Sequence, residues 1–257
     1  EYLRVFSTVT GKRHAHPLSA GTTPLLLSEI LIVPETDRYS ALSAYSGVAH
    51  TLLVDISSAT LRTGDSVICV RDGNDAWVFS AFTSQWHHRA IPSTWRVEIR
   101  DRLAVFRHPS IGPFGGALLF DALSGDWFEL AARACTSFRS SSSLSTYFFV
   151  FHNLPTATYE AATYSTHAPG WQVSTIAPIP PLYNLGGGGA FGSDYVAVFD
   201  HAFSGLTRAF VPLGRALAPR TAGLVSVAYD TVTDQAFSLG ILGRSWVTMP
   251  RGTVPID

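Results

Sequence analysis

The clearest pattern along the chain is a recurring phrase of apolar and polar positions. Two or three apolar or β-branched residues lead to an aromatic residue, a small or acidic residue, a short Ser/Thr/Gly turn and often a tryptophan. The best copy is residues 117–127, and looser copies are residues 77–86, 162–171 and 3–11. Repeats of about 40–50 residues built from short strands are typical of radially stacked β-sheets. The pattern therefore predicts an all-β fold, a β-propeller.

A second apolar strand precedes most copies of the phrase. These β-branched and aromatic runs have the length of strands and are bounded by Gly, Pro, Asp or Ser. They are residues 30–33, 66–70, 103–106 and 147–151. Their near-continuous hydrophobicity predicts burial on both faces, as expected for the second strand of a four-stranded antiparallel blade. The tryptophan that follows each turn is expected to begin the outer strand and to fill the gap between adjacent blades.

The aromatic residue of each phrase gives the predicted number of blades. These residues are Phe6, Tyr45, Phe79, Phe120, Tyr164, Phe199 and Tyr229. Because no strand pair precedes the Phe6 hairpin, we expect this hairpin to join the C-terminal strands around residues 246–249. That arrangement gives six blades, with seven as the alternative. Helical periodicity is absent, and we expect a single propeller domain over residues 1–257.

One phrase resembles the ending of a kelch repeat. It reads Phe120-Asp121-x-x-Ser124-Gly125-x-Trp127, and the opening from Val5 to Arg13 resembles the turn of propellers attached to F-box proteins. The resemblance spans most of the chain as a pattern. It implies a recognition scaffold, although kelch-type propellers also include oxidases and isomerases. The chain departs from kelch repeats where a Gly-Gly pair would follow the second strand, at residues 71–72, 107–108, 152–153 and 200–201.

The polar residues at these departures are candidate functional residues. If the strands are in register, they emerge at one end of their blades, near the mouth of a central channel. The predicted binding residues are His108, His152, His201, Asp72, Asp230 and Glu35. Three imidazoles with acidic neighbours on one axis would suit a divalent cation or acid–base chemistry. The competing interpretation, which we favour, is that these residues satisfy backbone groups where strands end.

Other side chains add little chemistry. His14 and His16 have ligand-like spacing, but we interpret them as an exposed strand face. The sequence has no Gly-x-Ser-x-Gly elbow, no Cys-x-x-Cys pair and no Lys-Ser/Thr after the four glycines at 186–189. Cys69 and Cys135 are expected to be free thiols rather than a disulfide. No metal or other cofactor is therefore expected.

Charge and hydropathy exclude two kinds of partner. The net charge is −1, which gives no general attraction to nucleic acid. No apolar run reaches the ~18–20 residues of a membrane span.

The sequence favours a non-catalytic recognition module that binds a protein or peptide partner through loops on one face. The first alternative is a small-molecule enzyme or metal-binding propeller with its site at the channel mouth, and the second is a lectin. A lectin would need similar polar and aromatic sites between every pair of blades, whereas these repeats keep their structural residues and vary their polar ones. The sequence leaves open whether the protein is an enzyme.

Overall fold

The structure, a computed structural model, describes residues 2–110, 113–143, 146–153, 158–166, 168–176, 183–185, 189–191, 195–200, 205–210, 216–222, 225–230, 235–240 and 246–250. The regular elements in these ranges are strands. In chain order they are β1 (Tyr2–Phe6), β2 (Arg13–Pro17), β3 (Leu25–Leu26), β4 (Ile30–Glu35), β5 (Arg38–Ser43), β6 (Ala49–Leu53), β7 (Thr60–Thr63), β8 (Val67–Asp72), β9 (Asp75–Ser80), β10 (Gln85–Ala90), β11 (Arg96–Arg100), β12 (Leu103–Arg107), β13 (Ala117–Asp121), β14 (Asp126–Leu130), β15 (Ser137–Ser143), β16 (Thr146–Asn153), β17 (Thr158–Ser165), β18 (Ala168–Ile176), β19 (Tyr183–Leu185), β20 (Gly189–Phe191), β21 (Tyr195–Asp200), β22 (Gly205–Phe210), β23 (Ala216–Ala222), β24 (Val225–Asp230), β25 (Gln235–Gly240) and β26 (Trp246–Pro250).

Each sheet is an antiparallel meander. Strands β3–β6, β7–β10, β11–β14, β15–β18, β19–β22 and β23–β26 form four-stranded sheets in which consecutive strands are neighbours, and β1 pairs with β2. This is the topology of propeller blades. The prediction of an all-β, propeller-type fold with four-stranded antiparallel blades is therefore confirmed. The number of blades and the single domain over residues 1–257 stay predictions.

Within the described strands, β1 pairs with β2 and β26 pairs with β25. Addition of the Phe6 hairpin to the strands around residues 246–249 stays a prediction.

The first compact unit comprises residues 1–110 and 115–132. Its sheets pack face to face, and residues of the second strands β4, β8 and β12 form the centre of two apolar clusters. One cluster contains Ile32, Val70 and Phe79. The other contains Cys69 and Phe106. Burial of alternate residues in different clusters explains why the second strands read as continuous apolar runs.

The second compact unit comprises residues 111–114 and 133–257. Its described core is aromatic. Phe114 is buried, and its ring centroid lies 5.1, 4.9 and 4.8 Å from those of Phe138, Phe149 and Phe151. Offset and tilted aromatic contacts of this kind add to the free energy of burial.

The predicted strand positions are mostly correct. The four apolar runs form β4, β8, β12 and β16, each the second strand of its sheet. Trp86, Trp127 and Trp171 lie in fourth strands, as predicted. The ring centroid of Trp127 lies 5.0 Å from that of Phe120 and 5.7 Å from that of Phe106. These contacts support the structural role expected for Trp127.

Two of the seven aromatic anchors were placed wrongly. Tyr45 lies in the turn after β5, where its ring packs 4.9 Å from Phe82. Tyr229 lies on β24, the second strand of its sheet. The end of β24 carries an aromatic residue followed by an acid, Tyr229 and Asp230, and therefore resembles the phrase.

A repeated turn joins the last two strands in the first unit. The N–H of Gly11, Gly47, Ser84 or Gly125 donates a hydrogen bond to the carbonyl four residues earlier, with lengths of 2.8–2.9 Å. These residues have φ between 56° and 77°. Glycine adopts this left-handed conformation without a steric penalty, and Ser84 is the exception among the four.

Serines at the start of these turns connect successive sheets. Ser7 Oγ donates to the carbonyl of Ala44 at 2.6 Å, and Ser43 Oγ donates to that of Ala81 at 2.5 Å. Ser80 Oγ likewise donates to the carbonyl of a turn residue, Ala122, at 2.5 Å. We call these three bonds the serine ladder. They fix each turn against the next sheet.

Candidate functional site

The predicted site residues lie where second strands end. Glu35, Asp72 and Asp230 are the last residues of β4, β8 and β24, His108 follows β12, and His152 lies near the end of β16. His201 lies outside the described residues.

Glu35 has its hydrogen bonds satisfied locally. Its Oε1 accepts from Ser19 Oγ at 2.5 Å, and its Oε2 accepts from Arg38 Nε at 2.6 Å. These bonds, that of Ser19 first, lower the pKa of the Glu35 carboxyl, so the carboxylate is ionised at neutral pH. It lines an open polar cleft together with His16, Ser40 and Thr51.

Asp72 and His108 also have local roles. Asp72 Oδ1 accepts from Ser58 Oγ at 3.2 Å. His108 Nδ1 accepts the N–H of Ser110 at 3.2 Å, and its ring meets the edge of Trp95 at a centroid distance of 6.0 Å. A Cβ added at Gly115 would lie only 2.4 Å from Cγ of His108. The imidazole of His108 therefore fills the space beside Gly115 and packs within its own loop.

A shared metal centre finds no support in the part of the chain that the structure describes. No group of three or more His, Cys, Asp or Glu side chains in that part is placed to hold a metal ion. In the second unit, the backbone carbonyl of His152 accepts both the N–H and the hydroxyl of Thr136, at 2.8 and 2.9 Å. Convergence of His108, His152 and His201 stays a prediction.

The most informative residue at this end is Arg71, which sequence reasoning passed over in favour of Asp72. Arg71 is buried, and its guanidinium donates to the carbonyls of Trp95 at 2.6 Å, Ile91 at 3.0 Å and Pro92 at 2.8 Å. It also lies 5.8 Å from the centre of the Phe106 ring. Burial lowers the pKa of Arg71. A buried cation that binds three carbonyls of one loop holds that loop rigidly.

Asn74 holds the same loop from the neighbouring turn. Its carbonyl accepts the N–H of Ile91 at 2.7 Å, and its Oδ1 accepts the N–H of Ser93 at 2.8 Å. We call residues 72–75 and 91–95 the recognition loops. Gly73, Asn74 and residues 92–94 are exposed. The loops thus present small polar side chains and backbone groups on a fixed frame.

The opposite end of the first unit carries an acidic group that sequence reasoning missed. Glu29 Oε1 accepts from the hydroxyl of Tyr45 at 2.7 Å, and Asp65 Oδ1 accepts from Ser28 Oγ at 3.0 Å. Burial, and to a smaller extent the hydrogen bond to Glu29, raises the pKa of Tyr45 to about 12. Burial is also the main cause that raises the pKa of Asp101, with Asp65 and Glu29 adding to it. The signal in the sequence is an acid one or two residues before β4, β8 and β12, namely Glu29, Asp65 and Asp101.

One interpretation of the histidines was wrong. His14 was expected on an exposed strand face, but its Nε2 is buried and has no hydrogen-bond partner. A Cβ added at Gly47 would lie 1.8 Å from Cε1 of His14. The missing side chain of a turn glycine in the next sheet creates the space that the imidazole fills. Cys69 and Cys135 are free, as expected.

Comparisons with known proteins give a likeness of fold. No family model and no curated protein matches the chain. Among solved structures, Kluyveromyces lactis Hsv2 is 9% identical, with 96% of this chain and 91% of that chain covered and a TM-score of 0.32. Citrobacter koseri AztD is 12% identical over 100% of this chain and 80% of that chain, with a TM-score of 0.35.

A nidogen/laminin complex is 9% identical over 86% of this chain and 93% of that chain, with a TM-score of 0.29. The assignment of the fold rests on the sheet topology. In the part of the chain that is described, no helix has the length and apolar character to cross a membrane. The four-stranded antiparallel sheets of the structure give a β-propeller-type chain.

Proposed function

We propose that the chain is a non-catalytic recognition module that binds a protein or peptide partner through the recognition loops, residues 72–75 and 91–95. The observation that carries the proposal is the buried guanidinium of Arg71, which donates to three carbonyls of residues 91–95. The kelch-like pattern of the sequence agrees with such a scaffold, and we keep that kinship as part of the proposal.

A fixed loop favours recognition on energetic grounds. Ordering a rotamer-rich side chain on binding costs about 0.5–1.5 kcal/mol, and ordering of loops adds to this cost. Because the hydrogen bonds of Arg71 and Asn74 already order the loop during folding, much of this cost does not arise on binding. The free energy of contact with a partner is then available for affinity.

The exposed residues of the loops suit a polypeptide partner. Pro92, Ser93 and Thr94 are exposed in succession, next to the exposed Gly73 and Asn74. Such a row presents hydrogen-bonding groups and a complementary surface to an extended polypeptide. Three of the residues predicted to bind at the channel mouth, Glu35, Asp72 and His108, make hydrogen bonds with nearby residues of their own sheet or loop.

Selection of peptides from a random display library tests the proposal. Selected peptides should bind the native chain and lose at least tenfold in affinity when Ser93 and Thr94 are both replaced by Arg, because the larger side chains cover the loop. The variant Arg71→Met should weaken binding by releasing the loop. Arg89→Met, an exposed change in the same sheet, is the matched control. Peptides that bind the loop variants as tightly as the native chain would refute this site.

A further inference from the structure

The sheet of β3–β6 differs from the next two sheets at a position that packs between sheets. Three residues before the repeated turn begins, the third strand carries Ser40 in this sheet, Trp77 in the sheet of β7–β10 and Leu118 in the sheet of β11–β14. Trp77 packs against the apolar cluster between the first two of these sheets, and Leu118 is a buried member of the cluster between the last two. Ser40 is too small to fill the equivalent space.

The fourth strand of the same sheet shows a second difference. Ala49 lies at the position that Trp86 and Trp127 occupy in the next two sheets, opposite the residue just before the turn. Both tryptophans pack against the clusters between sheets. Two positions that elsewhere carry a large apolar side chain therefore carry Ser40 and Ala49 here.

A cleft lies where these small residues face the β1–β2 hairpin. Its volume is about 380 Å³, within the ~300–1,000 Å³ that is typical of small-molecule sites. Pro17 and Leu18 form an apolar part of its wall. All the residues that line it belong to the first unit. We call it the polar cleft, because its other lining residues are His16, Ser19, Glu35, Arg38, Ser40 and Thr51.

The two charged side chains of the polar cleft neutralise each other. Arg38 Nε donates to Glu35 Oε2 at 2.6 Å, and Ser19 Oγ donates to Oε1 of the same carboxylate at 2.5 Å. The Glu35 side chain is only 14% exposed, so its position is well fixed. Among the described residues, Arg38 forms its ion pairs through Nε, and its two terminal NH₂ groups remain as donors. The carboxylate keeps further lone pairs as acceptors.

Two hydroxyls and an imidazole complete the polar lining. Ser40 Oγ and Thr51 Oγ1 lie 3.2 Å apart, and one donates to the other. Ser40 is buried, which holds this pair in place. Each hydroxyl has one hydrogen and two lone pairs, so the pair can still donate one bond and accept others. His16 has no hydrogen-bond partner among the described residues, and a neutral imidazole offers one donor and one acceptor.

We propose that the polar cleft binds a neutral polyhydroxyl compound of the size of a monosaccharide or disaccharide. Sugar hydroxyls both donate and accept, and the lining places donors and acceptors side by side. Because Glu35 and Arg38 already neutralise each other, an anion or a cation would find no unpaired opposite charge in this pair. Pro17 and Leu18 suit the C–H groups of a sugar ring.

This inference goes beyond the proposed function, because the polar cleft lies outside the recognition loops and its ligand is not a polypeptide. The cleft depends on a departure of one sheet from the repeat. It therefore differs from a lectin with a similar site between every pair of blades.

Saturation-transfer NMR on the native chain tests the ligand class. The probes are D-glucose, D-galactose, D-mannose, lactose, maltose and myo-inositol, with glycine as a zwitterion and inorganic phosphate as an anion. We expect at least one polyhydroxyl probe to bind in the millimolar range and to shift the resonances of His16, Ser40 and Thr51. Glycine and phosphate should not bind. Binding of none of the polyhydroxyl probes, or of glycine or phosphate in their place, would overturn the proposal.

Variants test the location. Ser40→Leu, which copies Leu118, fills the cleft, and Arg38→Met removes the terminal donors; each should lower affinity about tenfold or more. Thr51→Val keeps the shape, removes one hydroxyl and should also weaken binding. The exposed changes Ser46→Leu and Arg89→Met are the matched controls and should bind as the native chain does.

Two further results complete the test. Circular dichroism shows which variants are folded, and equal affinity of the native chain, Arg38→Met and Thr51→Val would overturn the proposal even if Ser40→Leu does not fold. The variant with Ser93 and Thr94 replaced by Arg should keep its affinity for the polyhydroxyl probe. Loss of peptide binding and loss of polyhydroxyl binding are therefore read separately.

Discussion

The serine ladder gives the most direct quantitative prediction about folding. Ser80 is fully buried, and its Oγ donates to the carbonyl of Ala122 at 2.5 Å. The same oxygen accepts the N–H groups of Phe82 and Thr83, each at 3.1 Å. Ser80→Ala removes all three bonds and adds no bulk. It also leaves a buried carbonyl and two turn amides without their partner.

The magnitude follows from these losses. A typical hydrogen bond contributes about 1 kcal/mol net, and a buried group left unsatisfied costs about 1–3 kcal/mol. Because the two amides share one acceptor and lie nearer the surface, we expect Ser80→Ala to lower the free energy of unfolding by about 2–4 kcal/mol. Ser43→Ala, which breaks the bond to Ala81, should have a similar effect.

Equilibrium unfolding in urea, followed by tryptophan fluorescence and circular dichroism, measures the change. Ser46→Ala is the matched control, because Ser46 is exposed and bonds only to the N–H of Val48. An exposed change of this kind should cost less than about 0.5 kcal/mol. If Ser80→Ala and Ser46→Ala have equal effects, the ladder does not join the sheets and this reasoning is refuted.

Three further predictions concern packing and charge. Trp127→Ala should lower the free energy of unfolding by about 3 kcal/mol in the same urea assay, against little change for the exposed Leu123→Ala; equal effects would contradict the structural role of this tryptophan. Burial lowers the pKa of His87, so the unfolded chain binds more protons than the folded chain. The free energy of unfolding should therefore fall as pH drops below about 6.5. Urea unfolding from pH 8 to 5 should show no such loss in His87→Phe, which copies Phe128 at the equivalent position of the next sheet. The raised pKa of Asp101 means that its ionisation opposes folding, so Asp101→Asn should raise the melting temperature at pH 7, and a lower one would contradict this.

Local patterns were enough to predict the strands. The runs at residues 30–33 and 66–70 are apolar on both faces because β4 and β8 each lie between two apolar clusters, and consecutive residues of the sequence record this burial. The tryptophans were also assigned to the correct strands, because each directly follows a turn that can be recognised in a short window of sequence. Tyr45 and Tyr229 were misplaced because an aromatic residue beside a small or acidic one also occurs in turns and at the ends of second strands.

The turns between sheets and the candidate site depend on contacts between residues that are distant in the sequence. Ser80 and Ala122 are 42 residues apart, and Arg71 reaches carbonyls 20–24 residues away. No short window of sequence contains both partners of such a bond. The position of Glu35 at a strand end was enough to name it as a candidate binding residue, but the partners of its two oxygens, Ser19 and Arg38, could not be predicted.

If the recognition loops are preformed and bind a polypeptide, amide hydrogen exchange will show it directly. Amide hydrogen exchange is recorded on the free chain and with a library-selected peptide bound. We expect the amides of Ile91, Ser93 and Trp95 to be protected in the free chain, because Asn74 and Pro92 already accept their hydrogen bonds. Peptide should then increase protection only at the recognition loops. Rapid exchange at these three amides in the free chain, or new protection elsewhere alone, would contradict the account.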